Sequence, residues 1–97
     1  MEYISVVWKH NHRDEPVRLV SELDEERFEV RKLEFFRDGS VGFASKECDS
    51  ARTRLGEVTV PPLAEINEDP EFEGVPITKS EFDQLWQKRC GTTALRP

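Results

Sequence analysis

The chain of 97 residues is 36% hydrophobic and 35% charged, the profile of a small folded domain with a thin core and a charged skin. At this length a single core is the norm, and roughly two-thirds of the unfolded surface can be buried without a disulfide or metal staple. The net charge of −6, from 20 Asp plus Glu against 14 Lys plus Arg, argues against nucleic acid and anionic membranes as ligands. Both are bound largely through Lys and Arg.

The opening segment EYISVVWKH alternates Ile4, Val6 and Trp8 with Tyr3, Ser5 and Val7. That is strand periodicity, and the additional apolar Val7 suits a central strand. A polar turn through His10, Asn11 and His12 follows, closed by Pro16. PVRLVSEL reads as a second strand, with Val17, Leu19 and Leu23 on one face and Arg18 and Glu22 on the other. The acidic run Asp24, Glu25, Glu26 then marks a strand end.

RFEVRKLEFFRDGSVGFAS reads as a hairpin turning at Asp38-Gly39, a pair suited to a type I′ turn. Phe28 and Val30 share one parity, whereas Leu33 and Phe35 fall on the other. Strict alternation cannot bury both pairs on one side, so a β-bulge is expected near Arg31-Lys32. CDSARTR reads as a loop and LGEVTV as a last short strand before Pro61-Pro62.

Residues 61–77 read as an acidic, proline-containing loop carrying Glu65, Glu68, Asp69, Glu71 and Glu73. Leu63 and Ile66 suit one turn of helix, stopped by Pro70. A C-terminal helix is expected over 78–90: Thr78 and Glu81 form a capping box, and Ile77 and Phe82 a hydrophobic staple. Phe82, Leu85 and Trp86 form its apolar stripe. Lys88 and Arg89 suit its last turn and Gly91 its C′ position, with 91–97 as a tail. The expected architecture is α+β: a single domain in which an antiparallel sheet of about four to five strands, drawn mainly from residues 2–60, packs against one C-terminal helix.

Few residues carry recognisable chemistry. His10, Asn11 and His12 spell the name of the HNH nucleases, but those enzymes spread the three residues along a ββα-metal unit, and here they are adjacent. His10 and His12 with Asp14 or Glu15 supply the donor types of an iron or zinc site, although the sequence holds no third histidine. A polar turn explains the same letters. There is no Gly-rich phosphate cradle and no G-x-S-x-G elbow. Cys48 and Cys90 sit in no activating motif. With no secretory segment or membrane span legible, both thiols are expected free in a cytoplasmic protein.

YISVVWKH, DEPVRLVSELDEERFEVRKLEFFRDG, TRLGEVTVPPLAEINEDPEFE and ITKSEFDQLW together resemble a small bacterial domain family of unknown function, over roughly residues 2–88. The resemblance brings no catalytic residues with it. In size and acidity the chain is also similar to bacterial immunity proteins, the partners of toxins.

The expectation is a non-enzymatic module without cofactor or metal, binding a protein partner with a basic surface, such as a toxin. The candidate contact residues are Trp8, Asp24, Glu25, Glu26, Glu65, Glu68, Asp69, Glu71 and Glu73. Two other readings stand beside it: self-association into a homodimer through a strand edge, and a small metal-dependent hydrolase using His10 and His12.

Overall fold

The computed structural model describes residues 1–50 and 53–88. Five antiparallel strands form one sheet: β1 (Glu2–Trp8), β2 (Pro16–Leu23), β3 (Glu29–Phe36), β4 (Val41–Ser45) and β5 (Phe72–Pro76), in the order β4-β3-β2-β1-β5. Two helices join them, α1 (Leu63–Ile66) and α2 (Lys79–Trp86). The α+β architecture is as expected, and β1 is a central strand, paired with both β2 and β5.

The alternation of β1 sorts the sheet into two faces. Tyr3 lies on the face covered by α2, in a cluster with Val20, Leu33, Phe82 and Trp86. Ile4 and Val6 lie on the opposite face with Leu23, under Val60, Leu63, Ile66 and Phe72. Phe82 is fully buried, a burial that stabilises by about 1.5–3 kcal/mol. The capping box forms as expected: Glu81 N–H donates to Thr78 Oγ1 at 3.0 Å, and Thr78 N–H donates to Glu81 Oε1 at 2.7 Å. Ile77 and Phe82 pack into the same cluster. The helix ends at Trp86 with Gln87 as its C-cap, so Lys88 lies past its last turn, while Arg89 and Gly91 lie outside the described residues.

The change of parity in β3 is accommodated by a register shift. Glu22 pairs with Arg31 but Leu23 pairs with Glu29, leaving Val30 as the extra residue of a bulge, one position before the expected place. The hairpin turn is not type I′. Gly39 alone takes positive φ, +92°, and its N–H donates to Phe36 O at 3.0 Å. Phe36 N–H also donates to Ser40 O at 2.9 Å, which makes a three-residue loop with the glycine as its left-handed residue.

Three further expectations fail. LGEVTV forms no strand, because the outer edge of β4 is already taken by its own chain. Ser45 N–H donates to Cys48 O, Ser50 N–H donates to Phe43 O, and Ala44 bridges Asp49. The segment read as an acidic loop contains β5, which pairs with β1 from Trp8↔Phe72 to Ile4↔Pro76. Gly74 sits at its centre, where a Cβ would lie 2.8 Å from Leu63 Cδ2 and 3.3 Å from Val6 Cγ2. The missing side chain lets α1 lie down on the strand. Cys48 is disulfide-bonded, which corrects the expectation of a free thiol there, while Cys90 lies outside the described residues.

Gly42 holds a second close approach. A Cβ there would stand 2.0 Å from Oγ1 of the buried Thr53, whose hydroxyl donates to Glu34 Oε1 at 2.9 Å. Gly42→Ala should therefore lower stability by about 1–3 kcal/mol through overpacking. Urea unfolding would show a reduced midpoint at unchanged slope, and an unchanged midpoint would mean that the 53–56 segment yields freely.

Candidate functional site

Trp8 ends β1 half-buried, its ring stacked on Phe72 with centroids 5.8 Å apart and its Nε1–H donating to Glu71 Oε1 at 3.1 Å. His10 lies 4.2 Å and His12 6.3 Å from the same ring. The two imidazoles stack on each other at 5.2 Å rather than converging on a point. His12 N–H donates to His10 Nδ1 at 2.9 Å, which leaves His10 Nε2–H to donate to Pro16 O at 2.8 Å. Both ring nitrogens of His10 are thus engaged in closing the turn, and metal ligation would require breaking one of these bonds. Among the described residues no group of three His, Cys, Asp or Glu side chains is placed to hold a metal ion. The segment is built as a turn, with an aromatic stack at its root.

The first acidic stretch is partly structural. Asp24 Oδ1 accepts the N–H groups of Glu26 and Phe28, closing the β2–β3 turn in which Arg27 takes φ +72°. Glu25 and Glu26 are exposed beside it. Arg27 holds an unusual backbone conformation for a non-glycine residue, and its side chain shows what it is kept for. Its guanidinium donates to Val60 O at 2.7 Å and Pro61 O at 2.8 Å and pairs with Glu2, so it fastens the incoming chain across the sheet.

The second stretch wraps α1 and β5. Asp69 accepts Glu71 N–H at 2.9 Å, Glu71 accepts from Trp8, and Glu73 pairs with Lys9 at 3.5 Å. Glu65 and Glu68 are exposed and make no ion pair with any described residue. The structure therefore gathers Trp8 and the five carboxylates of this stretch at one edge of the sheet, while Asp24, Glu25 and Glu26 sit apart at the β2–β3 turn.

The most constrained charges escaped the sequence reading, which sets Glu22 with Arg18 on the face opposite Val17, Leu19 and Leu23 and gives Arg31 no partner. Glu22 is only 6% exposed, beneath α2. Its carboxylate accepts Tyr3 Oη–H at 2.8 Å and Arg31 Nε–H at 2.6 Å, and Arg31 Nη2 continues to Asp83 at 3.1 Å. The guanidinium carbon lies 4.7 Å from the Phe82 ring centroid and 5.3 Å from that of Trp86. The pairing Glu22↔Arg31 in the β2–β3 register is the one signal in the chain that such a network was available. Glu22 is buried under the helix, while Arg31 and Asp83 carry the network outward to a partly exposed rim.

A family model described as "Domain of unknown function (DUF6881)" matches residues 2–91. The chain belongs to this family. No curated protein and no solved structure matches it.

In this DUF6881 domain the buried network also sets the response to pH. Burial alone would raise the Glu22 carboxyl, but the hydrogen bonds from Arg31 and Tyr3 outweigh it and hold it below its ordinary 4.5. Asp83 is held below 3.8, chiefly by its hydrogen bond from Lys79, with Arg31 adding to it against the effect of burial. Both groups bind protons less tightly folded than unfolded. Their stabilisation is complete above those ordinary values and is lost as pH falls through the lowered folded ones. Tyr3 is raised above 10.0 by burial and by Glu22, so its contribution stands below that pH and is lost as pH rises through the folded value. Glu22→Gln should cost about 1–3 kcal/mol at neutral pH and flatten the acid limb. Denaturant midpoints from pH 7 down to pH 3 measure both, and an acid limb parallel to that of the unmodified protein would assign the loss to other carboxylates.

Proposed function

We propose that the domain is a non-enzymatic module that binds a protein partner with a basic surface through the α1–β5 edge. Its most concrete form is an inhibitor neutralising a toxin, as an immunity protein does. The observation that carries this reading is the unbalanced charge of Glu65–Glu73. Five carboxylates lie within nine residues, and among the described residues Lys9 alone forms an ion pair with them, leaving Glu65 and Glu68 without an ion-pair partner. Such a patch raises the encounter rate with a cationic surface and rejects anionic ones. Trp8 and Phe72, half-buried beside it, supply aromatic area of the kind that anchors interfaces.

Self-association through a strand edge draws little support from the edges themselves. Asn67 Nδ2–H donates to Gly74 O at 3.0 Å and its Oδ1 accepts Gly74 N–H at 2.6 Å, filling the outer edge of β5, and Pro76 has no N–H to offer. No helix among the described residues is long and apolar enough to cross a membrane. Disulfides persist in oxidising compartments, so Cys48 favours action outside the reducing cytoplasm that the sequence suggests.

Affinity capture from the host lysate, in parallel for the natural domain and a Glu65→Gln/Glu68→Gln/Glu73→Gln variant, tests the reading. A near-stoichiometric basic partner should be held at low salt, released at high salt and bound at least tenfold more weakly by the variant. Equal retention by the variant would remove this edge as the interface.

A further inference from the structure

The face of the sheet opposite α2 is only partly covered. α1 lies over β5, and Arg27 pins Val60 and Pro61 over the far end of β1 and β2, leaving between them a cleft of about 360 Å³. That volume falls at the lower end of small-molecule pockets, roughly 300–1,000 Å³. Its floor is apolar, formed by Ile4 and Val6 of β1 and Leu19 of β2, with Phe72 and Ile66 on the α1 side.

Two polar features break this apolar surface. Ser21, on the β2 floor, is 5% exposed, and its hydroxyl makes no hydrogen bond to any described residue. Strand pairing already satisfies its backbone, and a buried hydroxyl without a partner is costly enough to be rare. At the α1 side stand Glu65, without a partner among the described residues, and Asp69, bonded only to a backbone N–H. Glu29 lines the opposite end, but Lys32 at 3.2 Å and Gly56 N–H at 2.6 Å occupy it. Among the described residues no Lys or Arg lines the cleft.

We propose that this cleft binds a small amphiphilic cation: an aromatic or aliphatic body on the apolar floor, an ammonium at Glu65 and Asp69, and a hydrogen-bonding group at the far end on Ser21. The proposal goes beyond partner binding at the α1–β5 edge. Glu65 serves both surfaces, whereas Ser21 lies only on this one.

Tyramine is the probe, with phenethylamine lacking the hydroxyl and 3-(4-hydroxyphenyl)propionate reversing the charge. Titration followed by amide NMR shifts should show tyramine perturbing residues of β1, β2 and α1. Phenethylamine should bind roughly tenfold more weakly, the loss of one hydrogen bond, and the carboxylate should not bind. Ser21→Ala should bind tyramine and phenethylamine equally while keeping or raising the unfolding midpoint, since it removes an unsatisfied hydroxyl. Partner capture should be unaffected by it, which separates failure here from failure of the protein-binding reading. Equal binding of carboxylate and amine, unchanged tyramine affinity in Ser21→Ala, a lowered midpoint in that variant, or no binding of any probe would each overturn the assignment.

Discussion

The ion pair between Glu22 and Arg31 is the constraint around which the two faces of the sheet are arranged. It sits where β2 and β3 pair under α2, so the helix can dock only over a neutralised and hydrogen-bonded floor. Removing two such charges from water costs several kcal/mol per ion unless good geometry returns it. The geometry here is dense: Tyr3 completes the acceptors of Glu22, Asp83 takes the second arm of Arg31, and Phe82 and Trp86 cover the guanidinium. Asp83 comes from α2 itself, so the helix brings part of the neutralisation with it. The capping box and Ile77 then determine where along the sheet that helix begins.

On the other face the constraint is backbone routing. The bulge at Val30 changes which β3 side chains point to which side, placing Glu29 opposite Leu23. The left-handed Arg27 ends the preceding turn and reaches Val60, Pro61 and Glu2. A glycine at this position would relax the backbone but drop those contacts, so a conformation that is awkward for arginine is held by what its side chain secures. The result is a covering made of pinned chain and one short helix. This face is therefore less completely closed than the one beneath α2.

The parts legible in the sequence were those whose signals are local. α2 carries its cap, staple and stripe within ten residues, and β1 carries its alternation, so both read directly. β5 did not. FEGVP offers glycine and proline where a strand reader looks for branched residues, and its identity as a strand depends on β1 having a free side and on α1 needing a glycine beneath Leu63. LGEVTV shows the converse: it alternates well but finds no open edge, because residues 48–50 fold back on β4. Glu22 and Arg31 carried no local signal of their pairing for the same reason, since only the register between strands shows that they face each other under a helix. In the candidate site, the adjacency of the acidic residues was visible. The closure of the His10 ring, the lone hydroxyl of Ser21 and the anchoring role of Arg27 arise from contacts far apart in the chain.

One residue links the edge of the sheet to the acidic surface. Asn67 imitates a neighbouring strand by pairing with both backbone groups of Gly74, and it can do so only because α1 ends immediately before it. The same turn that blocks strand addition leaves Glu65 and Glu68 exposed, with no ion-pair partner among the described residues. Recognition by β-augmentation depends on free main-chain groups and is weakly selective without side-chain pockets. An edge capped in this way presents charges and aromatic rings instead. Under the proposed function, a partner meeting this side of the domain would be selected by electrostatic and shape complementarity rather than by a generic affinity for extended chain.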